Sequence, residues 1–317
     1  MYQNFIGIDI SKLTFVVGFH NRRETYEFNN TTKGFKAFFK KFKAQLSQSL
    51  VVLETTGGYE MELINFLLEA KVALHRADTR KVKYFIRSLG REAKSDAIDA
   101  LGLAQYGYER HERLDLFVPK TTQQDLLQQF TERRLDLKKM LVQEKNRSQS
   151  PNLNPSIRKS CHTMIKTFER QIQTVDEALQ SLIEAEPEQR EKQQVLQEID
   201  GIGQVLSTTL IALLPELGTV NRRRIASLVG LAPHPCESGA KIGYRRTKGG
   251  REDVRSILFM AAMTASQSKG RLGEFYRHLI AQGKKKMVAL TALMRKIVVI
   301  ANAKLADWYN KQQPVAA

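Results

Sequence analysis

The chain has 317 residues, 42% hydrophobic and 26% charged, the balance of a folded protein with room for more than one core. Lys and Arg number 50 against 33 Asp and Glu, and the net charge of +17 points to a polyanionic partner. No apolar run is long enough to span a bilayer, no signal-peptide pattern opens the chain, and no terminal basic amphipathic helix suggests a membrane surface. The two cysteines, Cys161 and Cys236, lie too far apart in sequence for a CxxC zinc or redox motif. A reducing, cytoplasmic setting is expected.

Residues 1–118 read as an α/β domain. Short apolar runs at Phe5–Asp9, Leu13–Phe19 and Arg23–Phe28 predict three strands. A helix at Thr32–Gln48 follows, then a fully apolar strand at Leu50–Leu53, and a helix over Tyr59–Ala70 after the Gly57–Gly58 turn. A strand at Val72–His75 and helices at Arg80–Leu89 and Ser95–His111 complete a mixed sheet with helices on its faces.

Residues 119–195 predict a helical hairpin. Leu126, Phe130, Leu137 and Leu141 are assigned to one face of its first helix, and Ser150–Pro155 breaks the helix with two prolines. Cys161, Ile165, Phe168, Ile172, Val175, Leu179 and Leu182 then alternate in steps of four and three, a coiled-coil seam that packs within the chain or against a second copy. Residues 196–317 predict a mostly helical domain. Helices are expected over Asp253–Ala265 and Val288–Ala306, with a loop-like stretch from Leu231 to Gly250. The positive charge is concentrated here: 19 basic against 6 acidic residues over 201–317, compared with 19 against 14 over 1–120 and 12 against 13 over 121–200.

Three constellations carry chemistry. Asp9 and Glu54 each end an apolar strand, where ligands gather in α/β sheets, and Asp96 and Asp99 share one helix face. Four such carboxylates offer hard oxygen donors for magnesium. Asp96 as a helix cap and Asp99 as a surface charge is the plainer alternative. Second, Gly201-Ile202-Gly203 between helical segments suits a helix-hairpin-helix, whose glycine backbone approaches a phosphate, or else an ordinary helical turn. Third, Ser238 sits in a polar loop followed by Lys241, Arg245, Arg246, Lys248, Arg251 and Arg255. A serine nucleophile needs activation, and guanidinium groups clamp phosphate, although a serine in a polar loop is usually only a loop residue. Cys236 is a rival nucleophile two residues away.

GIDISK at 7–12, LETTGGYE at 53–60, KSDAIDA at 94–100, DGIGQVLSTTLIA at 200–212, LVGLAPHPCESG at 228–239 and GREDVRSILFMAA at 250–262 occur in order over nearly the whole chain. Together they resemble the DEDD transposases of the insertion sequence 110 family, which includes the Piv-type DNA invertases. The resemblance implies a RuvC-like, RNase H-type domain over 1–118, the coiled-coil hairpin over 119–195 and a transposase domain over 196–317. It implies that Asp9, Glu54, Asp96 and Asp99 form an acidic tetrad for Mg2+, and that Ser238 attacks DNA to form a phosphoserine link. Target and donor DNA, a structured non-coding bridge RNA as guide, and a homodimer that pairs into a tetramer are the partners it implies. The Gly201–Gly203 turn and Lys241, Arg245, Arg246, Lys248 and Arg251 would contact nucleic acid.

A serine-linked intermediate keeps the phosphodiester energy, which agrees with the lack of a nucleotide-binding GxxxxGK[ST] loop. Three readings compete: an RNA-guided serine recombinase, with an unguided invertase as its variant; a metal-only junction nuclease that uses water and leaves Ser238 idle; and a non-enzymatic nucleic-acid-binding protein. The third has the difficulty that four carboxylates repel nucleic acid unless a cation intervenes.

Overall fold

A computed structural model of the chain describes residues 2–90, 95–235, 237–238, 241–243 and 245–312. The chain divides into two compact units, Met1–Pro119 and Lys120–Ala317. No helix of the described residues is long and apolar enough to cross a membrane.

The first unit is built on strands β1 (Asn4–Ile10), β2 (Thr14–Phe19), β3 (Thr25–Asn29), β4 (Ser49–Glu54) and β5 (Ala73–Ala77). They form one sheet in the order β3-β2-β1-β4-β5. β1, β2 and β3 pair antiparallel, as short hairpin connections require, whereas β1, β4 and β5 are parallel and need helical crossovers. Those crossovers are α1 (Thr32–Leu46) and α2 (Met61–Glu69), followed by α3 (Thr79–Ser88) and α4 (Asp96–Arg110).

Side-chain alternation divides this unit into three layers. Ile6, Ile8 and Ile10 of β1 join Val51 and Leu53 of β4 on one face, packed against Phe35, Phe38 and Phe42 of α1 and Leu63, Ile64 and Leu67 of α2. Phe5, Leu50 and Val52 point to the other face and meet Phe85 and Ile86 of α3 and Leu103 and Tyr106 of α4. Both sheet faces are therefore dry, and this is why the central strands read as continuous apolar runs.

The second unit is helical. α5 (Thr122–Ser148) starts at a reciprocal capping box between Thr121 and Gln124, and α6 (Pro155–Glu184) starts at Asn154 with proline in its first turn. Arg134 to Asp176 at 2.5 Å and Lys145 to Glu169 at 2.8 Å tie the two helices, and the pairing of rising with falling numbers marks an antiparallel hairpin. The expected α6 seam forms: Cys161, Ile172, Val175 and Leu179 are buried, and Ile165, Phe168 and Leu182 are partly buried beside them.

On α5 the expected face needs a correction. Leu126 is 39% exposed and its neighbour Leu127 is buried, alongside Leu137 and Leu141. Adjacent leucines leave the phase of a Gln-rich helix open. The packing partners decide it, since Leu127 joins a cluster that includes Ala212 as well as the α6 seam.

Beyond the hairpin come α7 (Pro187–Gln197), α8 (Gln204–Leu213), α9 (Arg222–Leu228), α10 (Glu252–Ser266), α11 (Arg271–Ala281) and α12 (Lys286–Gln312). Their core is centred on Leu206 and Leu210 of α8, Ile225 of α9, Leu258 and Ala262 of α10, and Leu293, Ile297 and Val298 of α12. The stretch expected to be loop from Leu231 to Gly250 contains two short ladders. β6 (Pro233–His234) pairs with β9 (Arg246–Thr247), and β7 (Glu237–Ser238) pairs with β8 (Lys241–Ile242), all antiparallel. Two-residue strands are too short to show a periodicity in sequence.

Candidate functional sites

The carboxylates of the first unit sit at one end of its sheet. Ile8 of β1 is in register with Leu53 of β4, so Asp9 and Glu54 stand one step further along two neighbouring parallel strands. Both follow residues of the α4-covered face in alternation, Asp9 after Phe5 and Gly7, Glu54 after Leu50 and Val52.

Two facing glycines determine how α4 lies. Gly7 and Gly18 are opposite each other on β1 and β2. A Cβ on Gly7 would fall 2.0 Å from the Ala100 carbonyl oxygen and 2.3 Å from the Ala104 nitrogen, so the helix backbone rests directly on the strand. Further along the helix, a Cβ on Gly107 would meet Val52 and Phe5. α4 therefore runs antiparallel to β1 and begins over the strand ends that carry Asp9 and Glu54. Its first turn contains Asp96 and Asp99, capped by the Ser95 hydroxyl, which accepts from the Ile98 N–H at 3.3 Å.

Asp9, Glu54 and Asp99 are half-buried and Asp96 is exposed. The set is carboxylate only, with no thiolate or imidazole, a donor chemistry that suits magnesium or another hard cation. All four share this end of the unit, but no three His, Cys, Asp or Glu side chains among the described residues stand close enough together to hold one ion.

A residue that sequence reasoning overlooked holds this end in shape. Glu60 is fully buried. Its carboxylate accepts from the Gly58 N–H at 2.9 Å, the Thr56 hydroxyl at 2.9 Å and the Thr56 N–H at 3.3 Å. Arg76 of β5 donates to its other oxygen through Nε at 3.0 Å and Nη2 at 2.5 Å. Burial alone would raise the Glu60 carboxyl, but the backbone, Arg76 and Thr56 hydrogen bonds outweigh it and hold the group below its ordinary value. Gly57 and Gly58, at φ 79° and 106°, let the chain turn back toward Glu60 immediately after Glu54. Asn30 links the neighbouring loops, donating to the carbonyls of Ser11 at 2.9 Å and Tyr59 at 3.1 Å. A signal was present in LETTGGYE: an acidic residue two positions beyond a glycine turn.

In the second unit Ser238 lies on a hairpin. Its backbone pairs with Lys241, and Glu237 pairs with Ile242. Cys236 and Gly239 lie outside the described residues. The legs of the hairpin meet at its base, where a Cβ on Gly250 would fall 2.1 Å from the Gly230 nitrogen and one on Gly230 would fall 2.0 Å from the Gly249 carbonyl oxygen. Both glycines have positive φ, 69° in each case.

The arginines expected to clamp phosphate divide into two groups. Arg251 forms a two-pronged pair with Glu216, at 2.6 and 2.7 Å, and Arg255 donates to the Gly249 carbonyl at 2.5 Å. These two hold the hairpin base. Burial pushes the Glu216 carboxyl up, but Arg251 more than reverses this. Arg245, Arg246 and Lys248 are exposed on the returning leg. They have no such internal role among the hydrogen bonds and ion pairs of the described residues.

The Gly201–Gly203 turn joins α7 to α8. Gly201, at φ 85°, packs against α10, where a Cβ would come within 2.8 Å of the Ala261 carbonyl oxygen. Gly203 caps α8 with open space around it. The close packing gives Gly201 a structural reason, and Gly203 is the more exposed of the two glycines. Sequence reasoning also passed over Arg222 and Arg223, at the start of α9 behind the Asn221 cap, and Arg295 and Lys296 on α12.

A family model described as a DEDD transposase matches residues 6–151, which include all four carboxylates. A second, described as the transposase IS116/IS110/IS902 family, matches residues 193–277, which include Ser238. The chain is 28% identical over 312 residues to the pilin gene-inverting protein of Moraxella bovis, covering 96% of each chain. To the pilin gene-inverting protein of Moraxella lacunata it is 27% identical over the same length, again covering 96% of each. An uncharacterized 44.8 kDa protein of insertion element IS116 from Streptomyces clavuligerus is 30% identical over 119 residues, 37% of this chain and 30% of that protein.

Proposed function

The chain belongs to the IS116/IS110/IS902 transposase family and is a DNA-recombining enzyme, and on that premise we propose that it cuts and rejoins DNA through a phosphoserine link at Ser238, assisted by the carboxylates of its first unit. The observation that carries this reading is the division of labour between the units. One gathers acidic side chains at a sheet end, and the other sets a serine on an arginine-bearing hairpin. The strand order β3-β2-β1-β4-β5, with three antiparallel and then parallel strands, supports a RuvC-like, RNase H-type reading of the first unit.

In the cutting step the Ser238 oxygen bonds to a backbone phosphorus while one phosphorus–oxygen bond of the strand breaks. The serine proton goes to a base, and a sugar hydroxyl leaves. In the rejoining step a sugar hydroxyl of the other strand attacks the same phosphorus, and the serine oxygen leaves with a proton. The number of ester bonds is unchanged, so no nucleotide hydrolysis is needed. The exposed Arg245 and Arg246 are placed on the same hairpin to receive charge that develops on the phosphate. Asp9, Glu54, Asp96 and Asp99 would supply the oxygen donors for magnesium once their side chains turn toward one another, and its charge would offset that of a phosphate.

A structured RNA guides the enzyme to target and donor DNA, and the hairpin of α5 and α6 joins two copies that pair into a tetramer. Residues 1–118, 119–195 and 196–317 act as catalytic, assembly and transposase segments, in the cytoplasm. One observation favours an unguided invertase as the second reading: the gene-inverting relatives match 96% of the chain.

The test is a denaturing gel of the protein incubated with end-labelled DNA spanning its own element boundary. The wild type leaves a protein-linked band, and Ser238→Ala leaves none and loses recombinant product by about 10^3-fold or more. Recombinant product from Ser238→Ala would overturn the serine role. Cut ends free of protein in the wild type would replace it with water-driven cleavage.

A further inference from the structure

The second unit contains a groove of about 930 Å3 between α9, the base of the hairpin, α11 and α12. Six cationic side chains border it: Arg222 and Arg223 of α9, Arg245 and Arg246 of the hairpin, and Arg295 and Lys296 of α12. Among the described residues that line it there is no carboxylate. The rest of the wall is mostly apolar, with Leu231, Phe275, Met287, Val288 and Val299, and the ammonium of Lys296 lies 3.9 Å above the centre of the Phe275 ring. Met287 and Val288 are 59% and 54% exposed although they sit in the first turn of a helix whose next turns form the core. We propose that this groove seats an unpaired DNA strand, its phosphates on the arginines and its bases on the Phe275–Met287–Val288 wall.

The chemistry selects the occupant. A duplex presents phosphates but keeps its bases stacked inside, so it would leave the apolar wall wet. An acidic peptide would satisfy the cations but has no flat apolar surface for each charge. An unpaired strand alternates phosphates with aromatic faces at short spacing, and proteins that hold such strands combine cationic tracks with apolar or aromatic platforms. Guanidinium forks match phosphate oxygens in pairs. The uncharged polar side chains among its described lining residues are Thr247 and Thr291, whose hydroxyls can bond phosphate or sugar oxygens alike, so the choice of DNA comes from the enzyme's reaction. This assignment rests on the recombinase reading, in which strand exchange creates unpaired DNA beside the hairpin that carries Ser238.

The experiment is fluorescence anisotropy on the full chain with four probes. These are an oligothymidylate of about 12 nucleotides, an abasic strand of the same length and charge, an oligouridylate and a duplex. The oligothymidylate should bind about tenfold more tightly than the abasic strand, because the bases contribute through stacking. Met287→Ser with Val288→Ser should reduce that ratio to near one and leave the salt slope unchanged. Arg222→Gln or Arg295→Gln should lower the log–log salt slope by about 0.7 each and leave the ratio standing. Equal binding of the abasic strand, or a ratio that survives the double serine variant, overturns the proposal. An oligouridylate that binds more tightly than the oligothymidylate overturns the assignment to DNA. None of these readouts needs cleavage, so a recombination-competent Ser238→Ala would defeat the catalytic reading and leave this comparison intact. A chain that binds duplex and ignores every single strand would defeat the groove alone.

Discussion

The two units solve opposite electrostatic problems. The first collects acidic side chains at the end of a dry, three-layered sheet. There each carboxylate is positioned by a core strand or by a helix lying backbone-to-backbone on the sheet. The second puts its serine on a hairpin of short ladders whose base is pinned by Arg251 and Arg255 and whose returning leg is covered with exposed cations. Rigid acidic geometry repels nucleic acid until a cation is present, whereas the cationic hairpin attracts it with no help. On the proposed reading, affinity and acidic chemistry are carried by different parts of the chain, and this separability can be tested.

The largest expected effect is on the acidic side. Asp9→Asn or Asp99→Asn should lower recombination by about 10^2-fold or more and leave DNA affinity unchanged or slightly higher, as the loss of a negative charge dictates. Reduced binding in these variants, measured by filter retention, would show that the two functions are not separate.

Next comes the buried Glu60. Glu60→Gln removes one partner of a pair whose acid is fully buried and should cost about 3 kcal/mol of stability, read by urea unfolding of the full chain. The sign with pH follows from the direction of its shift. Glu60 is held below the ordinary carboxylate value, so its contribution is complete above that value, about 4.3, and is lost as pH falls through the lower folded value. The wild type should lose stability on acidification more steeply than Glu60→Gln.

The smallest effect is on the hairpin leg. Arg246→Gln or Lys248→Gln should each lower the salt slope of duplex binding by less than about 1, with no change in melting temperature, because neither side chain has an internal partner among the described bonds. A clear loss of thermal stability would place these residues with Arg251, as part of the base.

Much of the first unit was legible because its signals are local. β1, β4 and α1 announce themselves through apolar runs and helical spacing, and Asp9 and Glu54 stand out because each follows such a run. What was not legible depends on partners distant in sequence. Glu60 is important only because Arg76 arrives from β5, and the phase of α5 is chosen by α6 and α8. Gly201 reads as a phosphate-binding glycine until α10 is seen against it. The cationic groove draws Arg222 and Lys296 from helices far apart in the chain, and neither residue carries a pattern that announces the other.

The seat of α4 on Gly7 and Gly18 constrains any gathering of the acidic residues. With the helix backbone against bare strand, α4 cannot slide or roll without driving the Ala100 carbonyl into β1. The Cα positions of Asp9, Glu54 and Asp99 are thus fixed as the stations of one frame, and what remains adjustable is torsion about their side-chain bonds. Glu54 has one more such bond than the aspartates and so the longest reach, which makes it the carboxylate best able to extend or withdraw as the others hold their places.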